Sequence, residues 1–346
     1  MNISNSREVS QMILQFSCSN HKSIKEKVTF SAIASSDNTF EETLKTFGNM
    51  RVLRSAVIYG ANGSGKSNFI NALGFMCRLV SESINHQPGQ EIFQAAHKLA
   101  SKDTPSEYDI QFVKNGVRYA YGFAIVRNVV SSEYLYYFPN GRQVKIFERE
   151  NEEIKPGDKY KNAFDVSIGI LKKNRLFLSC AANYTNIREI EDAFLFFKKD
   201  IVVYNPHANN WTEYSINLMQ QNSEVKETFL RILDALGTEV KDIRVKIEKT
   251  RLNEKDLPSD MPDTLKAFIS SQEANMIEAK LIYDKFETDL MSEESTGIKK
   301  LFELICPIID IIDNEKILVC DEMETGLHET IVYQIVKLFY SARKDK

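Results

Sequence analysis

Between Gly60 and Ser67 the chain reads Gly-Ala-Asn-Gly-Ser-Gly-Lys-Ser, which meets G-x-x-x-x-G-K-[ST] at every fixed position. Glycines at Gly60, Gly63 and Gly65 let the backbone curl so that successive amide hydrogens point inward, the geometry that holds phosphate oxygens. A helix opening at this point adds the positive end of its dipole. In such a loop Lys66 reaches the β- and γ-phosphates and Ser67 binds Mg²⁺ through its hydroxyl. Asn62, Ser64 and Asn68 belong to the same expected nucleotide-binding set. A chance glycine-rich turn would lack the setting found here: an apolar run, Val52–Tyr59, reads as a strand before the loop, and Asn68–Val80 has helical apolar spacing after it.

A second group of residues is Lys316-Ile-Leu-Val-Cys-Asp321-Glu322. A buried strand ending in two adjacent carboxylates is costly unless a cation or a task accompanies it. Asp321 at the strand tip suits a Mg²⁺ contact of the Walker B kind, and Glu322 suits general-base activation of water. The plainer reading is an acidic turn facing solvent; the phosphate loop elsewhere in the chain favours hydrolysis. Ser295 and Gly297 stand just before a helix and could present a hydroxyl and amides to another anion. In isolation an ordinary helix cap is the better reading of them. Their place shortly before Asp321 is that of the signature Ser-x-Gly in ABC-type ATPases, which touches the γ-phosphate held by the other subunit.

Positioning these groups requires a mixed α/β chain. "MILQFSCSN" and "VTFSAIAS" read as paired strands near the start, and alternating segments flank Asn115-Gly116 and Asn140-Gly141, both strong hairpin signals. This is an antiparallel meander rather than a parallel βαβ array. From about Asn209 to Thr288 the chain reads as mostly helical, with Val225, Phe229, Ile232, Leu233 and Leu236 on one face and Gly237 as a cap. "EKTRLNEKDLPSDMPD" is the most linker-like stretch. The expected division is a polar extension (1–11), an N-terminal ATPase lobe with the hairpin block (12–208), a mostly helical insertion (209–290), and a segment with the signature-like helix and Walker B (291–346).

A length of 346 residues allows a substantial core, and 43% hydrophobic with 27% charged residues is an ordinary globular balance. No apolar run approaches the roughly 20 residues of a spanning helix, and the N-terminus carries no export signal, so a cytoplasmic protein with no membrane contact is expected. The five cysteines include no C-x-x-C pair, and no histidine spacing suggests a metal site with them. A net charge of −4 disfavours a broad nucleic-acid coat. "FFKKD", "LKKNR" and "RVKIEKTR" are the candidate basic patches for DNA, each more in keeping with a solvated face.

Taken together, these motifs resemble the ABC-like branch of AAA ATPases related to SMC, RecF and OLD-type proteins, and within it the ATPase/GTPase family of abortive-infection and other anti-phage systems. Asn20-His21-Lys22-Ser23 is similar to the family's opening N-F-[KR]-S element, with His21 where an aromatic is usual. "LVCDEMETGLHE" is similar to D-E-P-E-x-x-L-H-P, with Met323 and Glu329 in place of the two prolines. The resemblance implies an ABC-type P-loop ATPase head with ATP and Mg²⁺ as cofactors. It also places Lys22 and Ser23 near the nucleotide and Glu324–His328 as a D-loop-like segment at a dimer interface. It implies a homodimer or higher homo-oligomer through the ATP site and an effector partner, a nuclease or toxin, with DNA as a further candidate partner. The alternative within the same fold is a DNA clamp of the SMC or RecF kind; a metabolic kinase or a transporter subunit suits the motifs less well. The family pattern continues past Walker B into a strand bearing a switch histidine, and Lys346 precedes that strand. The expectation is thus an incomplete C-terminal lobe that binds ATP better than it hydrolyses it.

Overall fold

The computed structural model describes residues 11–37, 39–205, 211–251, 261–271 and 273–341. The N-terminal extension, the centre of the linker-like stretch and the last residues of the chain lie outside them. Two compact units emerge: Met1–Tyr204 with Glu315–Asp321, and Asn205–Asn314 with Glu322–Lys346.

The first unit is built on a seven-stranded antiparallel sheet of β1 (Gln11–Ser19), β2 (Val28–Ser31), β5 (Ser106–Lys114), β6 (Val117–Val126), β7 (Val129–Phe138), β8 (Val144–Glu150) and β9 (Glu153–Pro156). Its order is β2-β1-β5-β6-β7-β8-β9. Alternation decides which face is buried. Tyr108, Ile110 and Phe112 on β5, and Tyr119, Tyr121 and Phe123 on β6, all point into one core with Phe16 and Leu135. The β5–β6 turn is Asn115-Gly116, both left-handed with φ 50° and 72°, as a tight hairpin requires. A short hairpin of β3 (Leu44–Phe47) and β4 (Met50–Leu53) covers part of the opposite face through Val52 against Leu14 and Val113.

Helix α1 (Lys66–Glu82) buries Phe69, Ala72, Leu73, Met76 and Val80 into the main core. The short helices α3 (Phe177–Tyr184) and α4 (Arg188–Leu195) complete that core, with Phe164 just before α2 (Asp165–Gly169). The start of α3 is fixed by a buried ion pair. Glu133 on β7 and Arg149 on β8 lie 3.4 Å apart with neither side chain accessible to solvent. The Glu133 carboxylate accepts from the amides of Phe177 and Leu178 at 2.6 and 2.9 Å and from the Tyr121 hydroxyl. Burial pushes this carboxyl up, while Arg149 and the two amides pull against it.

After α4 comes β10 (Ile201–Tyr204); the chain then leaves the first unit and returns to it with β14 (Ile317–Cys320). The two strands pair in parallel, Ile201 opposite Ile317 through Tyr204 opposite Cys320. β14 is half-buried along its length rather than the fully buried strand its composition suggests.

The second unit corrects the expectation of a mostly helical insertion. Besides α5 (Thr212–Gln221), α6 (Ser223–Ala235) and α7 (Asp263–Ser271), it holds a three-stranded antiparallel sheet of β11 (Asp242–Arg251), β12 (Glu273–Ile282) and β13 (Glu287–Asp289). The reason is visible in "DIRVKIE", where Ile243, Val245 and Ile247 alternate with polar residues at the period of a strand. Helix α8 (Thr296–Asp313) supplies Leu301, Phe302, Ile305 and Ile309 to the core of this unit, beside Phe229 and Leu233 of α6. Helix α9 (Glu329–Ser341) follows Walker B, with Ile331 against the same core. Gly237 ends α6 as expected, left-handed at φ 77° with its amide on the Asp234 carbonyl. Among the described residues no helix is long and apolar enough to cross a membrane.

Candidate nucleotide site

The loop expected to cradle phosphates has the backbone such a cradle needs. Gly63 and Gly65 are left-handed at φ 79° and 100°, a conformation that glycine adopts without strain. Gly65 is the residue that caps α1. A side chain there would also meet the Ser23 hydroxyl, 3.1 Å from the position a Cβ would take. The amides of Gly65, Lys66 and Ser67 have no protein acceptor among the described residues, as the first turn of a helix leaves them. Lys66 arches back over the loop, its ammonium donating to the carbonyls of Gly60 (2.7 Å) and Ala61 (3.1 Å). A ring of free amides, a helix N-terminus and an ammonium above them together fit a polyphosphate.

The strand expected before the loop is not formed. β4 stops at Leu53, and Ser55–Tyr59 runs as irregular, exposed backbone, with Val57 69% and Tyr59 90% accessible. A strand exists only where a neighbour completes its ladder, and among the described residues none pairs with this segment.

The N-terminal element lies against the loop. Asn20–Ile24 forms a tight hairpin in which the amides and carbonyls of His21 and Ile24 bond reciprocally at 2.8 Å. Lys22 and Ser23 form its tip. The Ser23 hydroxyl accepts from the Asn68 amide nitrogen at 2.7 Å, so Ser23, Gly65 and Asn68 are brought together. Lys22 is exposed, with a left-handed φ of 49°.

Asp321 directly follows β14 and is buried, its amide donating to the Tyr204 carbonyl at 3.0 Å across the parallel pair. Helix α1 packs on the partner strand β10, where the absent side chain of Gly74 lets Val203 approach. The phosphate-loop helix and Asp321 are thereby linked through one strand. Glu322 is exposed and left-handed at φ 48°. That conformation costs a non-glycine residue of order 1–3 kcal/mol and persists only where surroundings enforce it. Here the Thr325 amide donates to the Glu322 carbonyl, and the Thr325 hydroxyl to its carboxylate.

Residues 55–346 match the family described as AAA domain, putative AbiEii toxin, Type IV TA system. The chain belongs to that family. It is also similar to the SmcHead bound to the C-winged helix domain of ScpA, at 16% identity and a TM-score of 0.44 over 96% of this chain and 87% of that one. A second similar structure is the Smc head domain with an extended coiled coil bound to the C-terminal domain of ScpA derived from Pyrococcus furiosus. There the identity is 12% and the TM-score 0.36, over 95% of this chain and 86% of that one. No curated protein matches the chain.

The remaining sites expected of this AAA-domain protein fall in the second unit. Ser295 caps α8, its hydroxyl accepting from the Ile298 amide at 3.3 Å, so the cap reading of this serine is realised. Gly297 lies beside the Gly326 carbonyl, 3.7 Å from the position of a Cβ, which joins the signature-like segment to Glu324–His328. The candidate basic patches are partly engaged. Arg175 of "LKKNR" donates to the carbonyls of His86 and Ile170. Lys198 of "FFKKD" sits over the Phe194 ring, and Arg244 pairs with Glu287. Sequence reasoning missed Asn71 and Tyr108, which flank His21. The one available signal was a histidine standing where an aromatic residue is usual.

Proposed function

We propose that this chain is an ABC-like ATPase that binds ATP with Mg²⁺ at Gly60–Ser67 and hydrolyses it with Glu322 as general base. Two copies pair head to head, Ser295 and Gly297 of each facing the nucleotide held by the other. The observation that carries this reading is the curled Gly60–Ser67 loop with Lys66 arched over its carbonyls. In this reading the Lys66 ammonium exchanges those carbonyls for phosphate oxygens, and the amides of Gly65, Lys66 and Ser67 hold the β-phosphate. Asn62, Gly63, Ser64 and Asn68 line the cradle, and Lys22 and Ser23 close it from the N-terminal hairpin. The Ser67 hydroxyl and the Asp321 carboxylate would hold the metal, which when bound neutralises charge between the β- and γ-phosphates. The Glu322 carboxylate takes a proton from the attacking water.

The family description, a putative toxin of a type IV TA system, supports a role in which nucleotide state controls an effector, a nuclease or toxin, in anti-phage defence. The protein then acts as a sensor or switch in the cytoplasm. Glu322→Gln separates binding from turnover. With ATP and Mg²⁺ the variant is expected to accumulate as a dimer by light scattering, while hydrolysis falls about 10²–10⁴-fold, the usual weight of a general base. Unchanged turnover, or a variant that stays monomeric at saturating ATP, would contradict the reading.

A further inference from the structure

We infer that His21 is a positioning residue that sets Lys22 and Ser23 against the phosphate loop, an inference that rests on the nucleotide reading of Gly60–Ser67. The His21 ring is buried at the base of the Asn20–Ile24 hairpin, and its two nitrogens reach two different elements. Nδ1 lies 2.7 Å from the Tyr108 hydroxyl on β5, and Nε2 lies 3.1 Å from Asn71 Oδ1 on α1. Tyr108 has no exposed surface, and a buried phenol requires a partner; His21 supplies it. The Tyr108 hydroxyl donates to Nδ1, which leaves the Nε2 proton to donate to Asn71.

Asn71 stands three residues after Asn68, on the same face of α1, and Asn68 donates to Ser23. Two bridges, His21 to Asn71 and Ser23 to Asn68, therefore register the hairpin on the first two turns of the helix that opens at Lys66 and Ser67. Further bonds hold the base of the hairpin, among them one from the Ser106 hydroxyl to the Asn20 carbonyl. The Asn20 side chain donates to the Thr104 carbonyl and accepts from the His97 amide, and the Lys22 amide donates to Ala95. Among the described residues, the His21 and Ser23 bridges are the hydrogen bonds from the hairpin that reach α1. A hydrocarbon ring at position 21 could fill the same space against Phe75, whose ring centroid is 6.0 Å away, but would not set the hairpin along the helix axis. What the register determines is the place of the tip. Ser23 Oγ lies against Gly65, and the Lys22 ammonium is carried at the tip with no ion pair among the described residues. The anion it best suits is the terminal phosphate of a nucleoside triphosphate.

The test is a titration of the whole chain with a fluorescent ATP analogue and Mg²⁺, run with thermal melts on His21→Phe, Asn71→Ala, Lys22→Ala and their pairs. Each single substitution is expected to raise Kd about three- to tenfold, the weight of one or two hydrogen bonds. The penalty of Lys22→Ala is expected to shrink to less than about twofold in the His21→Phe or Asn71→Ala background, because the lysine is already displaced. A merely structural histidine would lower the melting temperature and leave the Lys22→Ala penalty intact. Parent-like affinity in His21→Phe, or penalties that add, overturns the inference. Should His21→Phe fail to fold, the Asn71→Ala and Lys22→Ala pair decides in the same way, since the Asn71 side chain is exposed. A parent chain that binds no nucleotide would remove the underlying reading as well, a result distinct from either of these.

Discussion

Lys66 and Gly65 show how much of the candidate site is decided by single residues. The Lys66 ammonium is satisfied by carbonyls of its own loop, so a phosphate must outcompete them, and charge favours the phosphate. Gly65 carries two constraints at once, a left-handed φ and the Ser23 hydroxyl close to the missing Cβ. Gly65→Ala is expected to cost roughly 1–2 kcal/mol in urea unfolding from the backbone conformation alone and to weaken ATP binding as well. A variant with parent stability and affinity would show that the loop is not held as described. His21 gives a pH signature. Burial lowers its pKa from the ordinary 6.5; the Asn71 bond opposes this in part, and the cationic Lys22 adds to it. The folded state thus resists the proton that the unfolded chain accepts. The stability it contributes is full above about pH 6.5 and is lost as pH falls toward the lower folded value. The stability gap between parent and His21→Phe is expected to narrow over that interval; a gap independent of pH would argue against a buried neutral ring.

Among the elements, the Glu133–Arg149 pair acts as a latch between sheet and helix. It joins β7 and β8 to the start of α3. Ser83 and Ser179 in turn bond α3 and the residue before it to the end of α1, through the amides of Leu176 and Ile84. Glu133→Ala would leave a buried guanidinium without its counter-ion and two helix amides bare. A loss of about 3–5 kcal/mol in urea unfolding is expected, and a loss below about 1 kcal/mol would contradict the latch. Local pattern announced some elements and not others. The glycine loop, the Asn115-Gly116 and Asn140-Gly141 hairpins and the apolar face of α8 each rest on neighbours a few residues apart, so the sequence displays them directly. Val57–Tyr59 looks like a strand by composition but needs a ladder partner from elsewhere in the chain. The β11–β12 sheet was hidden by charged residues on its polar face, and the Glu133 latch joins residues too distant in sequence to be paired by eye. The His21 bridges were illegible for the same reason: Asn71 and Tyr108 meet only after folding.

At the scale of the whole molecule, the residues named for chemistry divide between the two units. Lys22, Ser23, the phosphate loop and Asp321 belong to the first; Glu322, Ser295 and Gly297 belong to the second. Holding a nucleoside triphosphate is the part of the proposed function that rests on the first unit alone. Calorimetric titration of the full chain with ATP and Mg²⁺, beside Lys66→Ala, tests this most directly. Saturable binding at one site per chain is expected for the parent, with the signal lost in a Lys66→Ala variant whose thermal unfolding is unchanged. Equal binding by the two proteins, or none by the parent, would contradict the assignment of Gly60–Ser67 as a nucleotide cradle.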